Sequence, residues 1–92
     1  MTKNHNYYIY IMSSINKVIY IGVTNNLEIR TAQHKSEQIK GFSQKYKCKK
    51  LIYYEYFTDI RDAIKRETEL KKWRREKKIK LIELLNPGWL DL

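Results

Sequence analysis

Apolar and polar stretches alternate along the chain in an order that predicts three strands and three helices. Residues 7–12 (YYIYIM) are wholly apolar or aromatic and read as a central strand. Residues 13–17 (SSINK) read as a turn, and residues 18–23 (VIYIGV) as a second strand, so the two form a hairpin. Gly22 near the end of that strand predicts close approach by another backbone or a ligand. Thr24, Asn25 and Asn26 offer a helix N-cap, with Glu28 three residues after Asn25, and a helix follows over Leu27–Lys35. Residues 36–50 read as a mobile basic loop or a frayed helix end, with Gly41 as a breaker. Residues 51–57 (LIYYEYF) form a third strand. Thr58 and Asp59 then cap a long helix from residue 60 to 74 or 75, with Asp62 in its first turn. A further helical stretch reaches Leu85, where Asn86, Pro87 and Gly88 stop it. The fold class is α+β, in the order β-β-α-β-α-α, with a small three-stranded antiparallel or mixed sheet flanked by helices.

Composition narrows this picture. With 92 residues, 42% hydrophobic and 32% charged, the chain reads as one globular domain, residues 1–92. Its core is modest, so a shallow groove is expected rather than a deep cofactor cavity. Cys48 is the single cysteine, which excludes an intramolecular disulfide and a cysteine-based zinc cluster. That fits a reducing compartment, and a cytoplasmic location is expected. The polar residues 1–6 read as carrying no signal peptide, and no apolar run is long enough to span a membrane.

Charge points to a partner. The net charge is +9, and it is concentrated: residues 35–50 carry +5 and residues 61–80 carry +6. Two basic blocks of this size suit a polyanion, nucleic acid first, although a solvated surface is the plainer explanation of any one of them. An anionic membrane fits less well, because the basic stretches lack a clean apolar face with interfacial aromatics.

Candidate chemistry comes from strand and helix geometry. Tyr8, Tyr10 and Met12 share one face of the first strand, opposite Tyr7, Ile9 and Ile11. Hairpin pairing can stand Tyr10 beside Tyr20 with the isoleucines packed beneath, either as core tyrosines or as paired phenols at a site. Arg30 and His34, four apart on the first helix, project from one face and suit a phosphate, or serve as an ordinary polar surface. Glu67 falls at 340° on a helical wheel set to 0° at Ile60, inside the stripe formed by Ile60, Ala63, Ile64 and Leu70, with ~100° per residue. A carboxylate there needs a partner. Lys71 or Arg74 can supply one, or Glu67 can reach a groove as a ligand for Mg²⁺, which keeps waters and takes phosphate oxygens. Asn86 reads as a helix stop, or as an amide that orients a water or a phosphate. Cys48 lacks a nearby triad and is not expected to be a nucleophile.

In order and spacing these residues resemble the GIY-YIG nuclease superfamily, and specifically its small single-domain bacterial members, over roughly residues 7–86. Tyr8-Ile9-Tyr10 stands where the family has Gly-Ile-Tyr, and Tyr20-Ile21-Gly22 matches the second motif literally. Arg30, His34 and Glu67 match the family's arginine, histidine and glutamate, and Asn86 its late asparagine. Tyr8 departs from the pattern, in a way that crowds the groove or alters backbone approach. The resemblance implies metal-dependent hydrolysis of DNA phosphodiesters, with Glu67 holding Mg²⁺ or Mn²⁺. Tyr10 or Tyr20 would handle the attacking water, helped by Arg30 and His34. Lys35, Lys45, Lys47, Lys49, Lys50, Lys71 and Arg74, with Asn86, would contact the nucleic acid, the cations tracking its backbone without reading its sequence. Larger members add a DNA-binding domain, so little sequence specificity is expected here, or a protein partner that supplies targeting. A nucleic-acid-binding module of the same fold without catalysis is the alternative.

Overall fold

A computed structural model describes residues 5–92; the polar opening, residues 1–4, lies outside them. The elements are β1 (Tyr7–Ser13), β2 (Ile19–Thr24), α1 (Leu27–Lys35), α2 (Phe42–Lys45), β3 (Lys50–Phe57), α3 (Ile60–Lys72) and α4 (Arg75–Leu85). β1 is central in the order β2-β1-β3, and both pairings are antiparallel. The expected strand-helix order holds, with one short helix added.

Two apolar layers follow from the strand alternation. Ile9, Ile11 and Ile21 point to one side and pack with Ala63 and Leu70 of α3 and Ile82 of α4. Tyr10, Met12 and Leu51 point to the other side, with Cys48, Val18, Tyr20 and Leu27. β1 is therefore buried on both faces, which is why its sequence shows no polar alternation.

Four local expectations change. Residues 36–50 are not a loose loop: α2 forms there and buries Ser43 and Cys48. Asn26, not Asn25, caps α1, its side-chain oxygen accepting from Ile29 N at 3.0 Å. α3 ends at Lys72, before residue 74, because Trp73 turns extended (φ −69°, ψ 149°). That turn packs the Trp73 ring against the core, between Arg66 (5.2 Å) and Lys77 (4.1 Å), and lets α4 fold back onto β3. The stripe on α3 is also narrower than the wheel suggests: Ala63 and Leu70 are buried, whereas Ile60 and Ile64 are exposed.

A charged tie fixes α3 to β3. Arg66 donates to both oxygens of Glu55 at 2.9 and 3.0 Å, and Tyr53 donates its hydroxyl to the same carboxylate. Burial opposes the charged form of Glu55, but the hydrogen bonds from Arg66 and Tyr53 outweigh it and hold its pKa below the usual range. At the other end Asn86 is buried, which corrects its assignment to nucleic acid. Its amide donates to Ile52 O (3.0 Å) and Leu90 O (2.8 Å), and its oxygen accepts from Leu90 N (2.9 Å). Both donor hydrogens are used inside the chain, so none is left for a phosphate. Asn86 instead ties the C-terminal segment to β3.

Candidate active site

Tyr10 and Tyr20 stand on one face of the hairpin, as its pairing requires. Their ring centroids are 6.3 Å apart. His34, delivered by the last turn of α1, completes a three-ring cluster at 5.4 Å from Tyr10 and 5.2 Å from Tyr20. The Tyr10 hydroxyl and His34 Nε2 are hydrogen-bonded at 2.8 Å. On its far side His34 Nδ1 meets Ser43 Oγ at 3.0 Å, from α2. Ser43 was not a sequence candidate. Gly41 was the available signal, since a glycine read there only as a breaker also precedes the turn that carries Ser43.

Burial and the Arg30 guanidinium both lower the pKa of His34. The neutral imidazole has one N–H and one lone pair, and the two contacts use both. Burial is also the main cause of a Tyr10 pKa well above the ordinary phenol range, followed by the proximity of Tyr20, with Arg30 acting against it. Tyr10 is thus a protonated, anchored phenol. Tyr20 is only half-buried. Gly22, opposite Tyr10 in the strand pairing, makes room for the ring: a Cβ there would lie 2.6 Å from the Tyr10 Cζ and Oη. The close approach expected at Gly22 is therefore a side chain, not a backbone or a ligand.

A depressed histidine pKa predicts a pH effect on stability. The unfolded chain protonates His34 near pH 6.5, while the folded chain resists. The contribution is complete above pH 6.5 and declines as pH falls below it. Thermal unfolding at pH 7 and pH 5 should therefore show a larger drop in Tm for wild type than for His34→Gln. Equal drops would show that the imidazole is not held neutral by the fold.

Glu67 stands on α3, the helix packed against the other face of the sheet. Its side chain is 21% exposed and pairs with Lys71 at 3.4 Å. Its charge is nonetheless among those felt by the Tyr10 phenol. Among the described residues no three His, Cys, Asp or Glu side chains are grouped to hold a metal ion. The oxygen donor of Glu67 alone suits an ion such as Mg²⁺ that completes its shell with water and phosphate.

Tyr8 does not crowd this group. Its ring leans onto β3, against Tyr56 (5.5 Å) and Tyr54 (6.3 Å). The lysines divide. Lys35, Lys47, Lys49 and Lys50 line a groove of about 650 Å³ at the hairpin tip, starting one residue beyond His34. Within it Lys35 pairs with Asp91, and Lys47 and Lys49 with Glu37 at 3.6 and 3.0 Å. Lys45 lies over the Tyr46 ring at 5.4 Å instead. Lys71 and Arg74 belong to the α3–α4 layer. Cys48 is fully buried, and burial pushes its thiol pKa up, which agrees with an inert thiol. Among the described residues no helix is long and apolar enough to cross a membrane.

Comparison with known proteins bears on this geometry. A family model described as the GIY-YIG catalytic domain matches residues 6–80. A UPF0213 protein of Staphylococcus haemolyticus is 32% identical over 77 residues, covering 84% of this chain and 94% of its own. One from Clostridium perfringens is 36% identical over 75 residues, covering 82% and 81%. The solution NMR structure of a UPF0213 protein from Bacillus halodurans has the same fold, with a TM-score of 0.60 at 24% identity over 94% of this chain and 92% of that one. With the catalytic-domain match spanning most of its length and relatives alike over most of both chains, this chain belongs to the GIY-YIG family, a nuclease superfamily.

Proposed function

We propose that this protein is a metal-dependent, endonuclease-like hydrolase that cuts DNA phosphodiesters with little sequence specificity. The observation that carries the reading is convergence. Tyr10, Tyr20 and His34 come from three elements and their rings meet at one patch, where the charge of Arg30 acts on both Tyr10 and His34 and that of Glu67, from a fourth element, acts on Tyr10. A lysine-lined groove lies at the tip of the same hairpin.

The residues divide the work by environment. Tyr20, the more open phenol, holds the attacking water with its oxygen as acceptor. Tyr10, protonated and bonded to His34, sets the ring positions. Arg30 meets the charge on the phosphate with a planar donor fork. Glu67 is the residue that would hold Mg²⁺ or Mn²⁺, whose chemistry when bound is Lewis-acid stabilisation of charge on the phosphate oxygens. The groove lysines contact the backbone to one side of the cut.

The test is cleavage of single-stranded, duplex and branched DNA by purified protein with Mg²⁺, Mn²⁺ or EDTA. Metal-dependent products are expected. Tyr20→Phe should lose most of the rate, while Tyr10→Phe should lose less of it and more thermal stability. The reverse ranking would reassign the water to Tyr10. The ion pair between Glu67 and Lys71 favours one other reading, a nucleic-acid-binding module whose carboxylate is structural. Salt-sensitive DNA binding without any metal-dependent product would establish that reading in place of the nuclease.

A further inference from the structure

Beyond the reacting groups, the same sheet face carries a second set of rings. Tyr8 pairs with Tyr56 across β1 and β3, and Tyr10 pairs with Tyr54, so all four side chains share the face that also holds Tyr20. The Tyr8 ring lies against both of its β3 neighbours, 5.5 Å from Tyr56 and 6.3 Å from Tyr54. Unlike Tyr10, two of them are open: Tyr54 is 46% exposed and Tyr56 53%. A polar hollow of about 330 Å³ beside Tyr8 is lined by Asn6, Asn25, Asn26, Leu27 and Glu28. The fold does not require this exposure. Tyr54 and Tyr56 stand in a strand whose other side is occupied by Tyr53, Glu55 and Phe57, turned toward α3. A small domain that leaves large rings in water on the face of its candidate site has a reason other than packing.

We infer that Tyr8, Tyr54 and Tyr56 form a base-stacking subsite for unpaired nucleotides of single-stranded DNA adjoining the cut. The inference rests on the reading of the site as one that acts on nucleic acid. Three observations select this occupant. The chain carries a net charge of +9, which draws a polyanion and repels a basic partner. The platform lies on the same sheet face as the candidate active site, with Tyr54 the cross-strand partner of Tyr10. Its chemistry is a row of flat, weakly polar rings beside amide and carboxylate groups. Rings of this kind stack bases whatever their identity, and the polar hollow can hydrogen-bond an exposed base edge. A duplex keeps its bases stacked inside and offers these rings nothing to cover. Tyr8, the departure from the family's first motif, is then the residue that joins the β3 rings to the site.

The experiment measures binding, in EDTA, of a fluorescent single-stranded oligodeoxynucleotide, of its duplex and of an abasic strand of equal length. Wild type is compared with Tyr54→Ala/Tyr56→Ala and with Tyr54→Phe/Tyr56→Phe. The alanine variant should lose roughly tenfold or more in affinity for the single strand. The phenylalanine variant should bind like wild type, duplex affinity should change less than twofold, and the abasic strand should bind wild type weakly. An alanine variant that binds the single strand like wild type overturns the subsite. So does an abasic strand bound as tightly as the base-bearing one, or an equal loss for single strand and duplex. Because EDTA removes hydrolysis from the readout, a protein that cuts DNA but fails these comparisons loses only the platform. A protein that passes them but never cuts DNA loses only the nuclease reading.

Discussion

Replacing Glu67 with glutamine is expected to abolish metal-dependent cleavage in a protein that still folds and still binds DNA. Glutamine keeps the shape of the side chain and removes its charge. The structural cost is small. The pair with Lys71 joins a helical i,i+4 lysine that is 55% exposed, and exposed pairs of this kind contribute about 0.3–0.5 kcal/mol. The chemical cost is large. A metal ion contributes several kcal/mol to charge stabilisation in the transition state; about 4 kcal/mol corresponds to roughly a thousandfold in rate. Cleavage, DNA affinity and Tm measured together separate the two roles. A variant cutting within tenfold of wild type would remove Glu67 from the chemistry. A variant that unfolds would make it a structural partner of Lys71.

Gly22→Ala should cost both stability and activity, although alanine is the smallest possible addition. The new methyl would sit 2.6 Å from Tyr10, well inside contact distance. The end of a side chain can usually swing aside. This ring cannot do so freely, being 1% exposed and bonded to His34. Overpacking of this sort costs about 1–3 kcal/mol. In a domain of this size 2 kcal/mol lowers Tm by roughly 10 °C. Cleavage should fall further than stability explains, because the Tyr10–His34 hydrogen bond is what must give way. A Tm within about 2 °C of wild type would show that the strands absorb the methyl without moving the ring.

The two strands of the hairpin were legible because each side chain's face is fixed by alternation alone. Once pairing is granted, Tyr10 must stand beside Tyr20. Arg30 and His34 were legible for the same reason on a helix. What the sequence hid depended on distant contacts. Ser43 lies in a segment whose lysines resemble loop composition, and only the docking of α2 beneath His34 makes it a buried partner. The end of α3 at Trp73 has no glycine or proline to mark it; the ring's preference for the core sets it. Asn86 looked free because a helix stop and a polar ligand carry the same residue type. The three hydrogen bonds that occupy it reach to β3 and to Leu90.

The narrowness of the sheet has a consequence for how the protein fails. Three strands span only two inter-strand spacings, about 10 Å. The charge of Glu67, on a helix packed behind the sheet, is therefore still felt by the Tyr10 phenol in front. The candidate residues thus come from elements on both sides of the sheet. A slip of α3 against β1 and β2 would part Glu67 from the tyrosines before any strand separated. On the proposed nuclease reading, cleavage competence is then a property of the whole docked assembly. Proteolytic or thermal loosening of either layer would silence it at the first step of unfolding, so a half-folded chain would carry no active fragment.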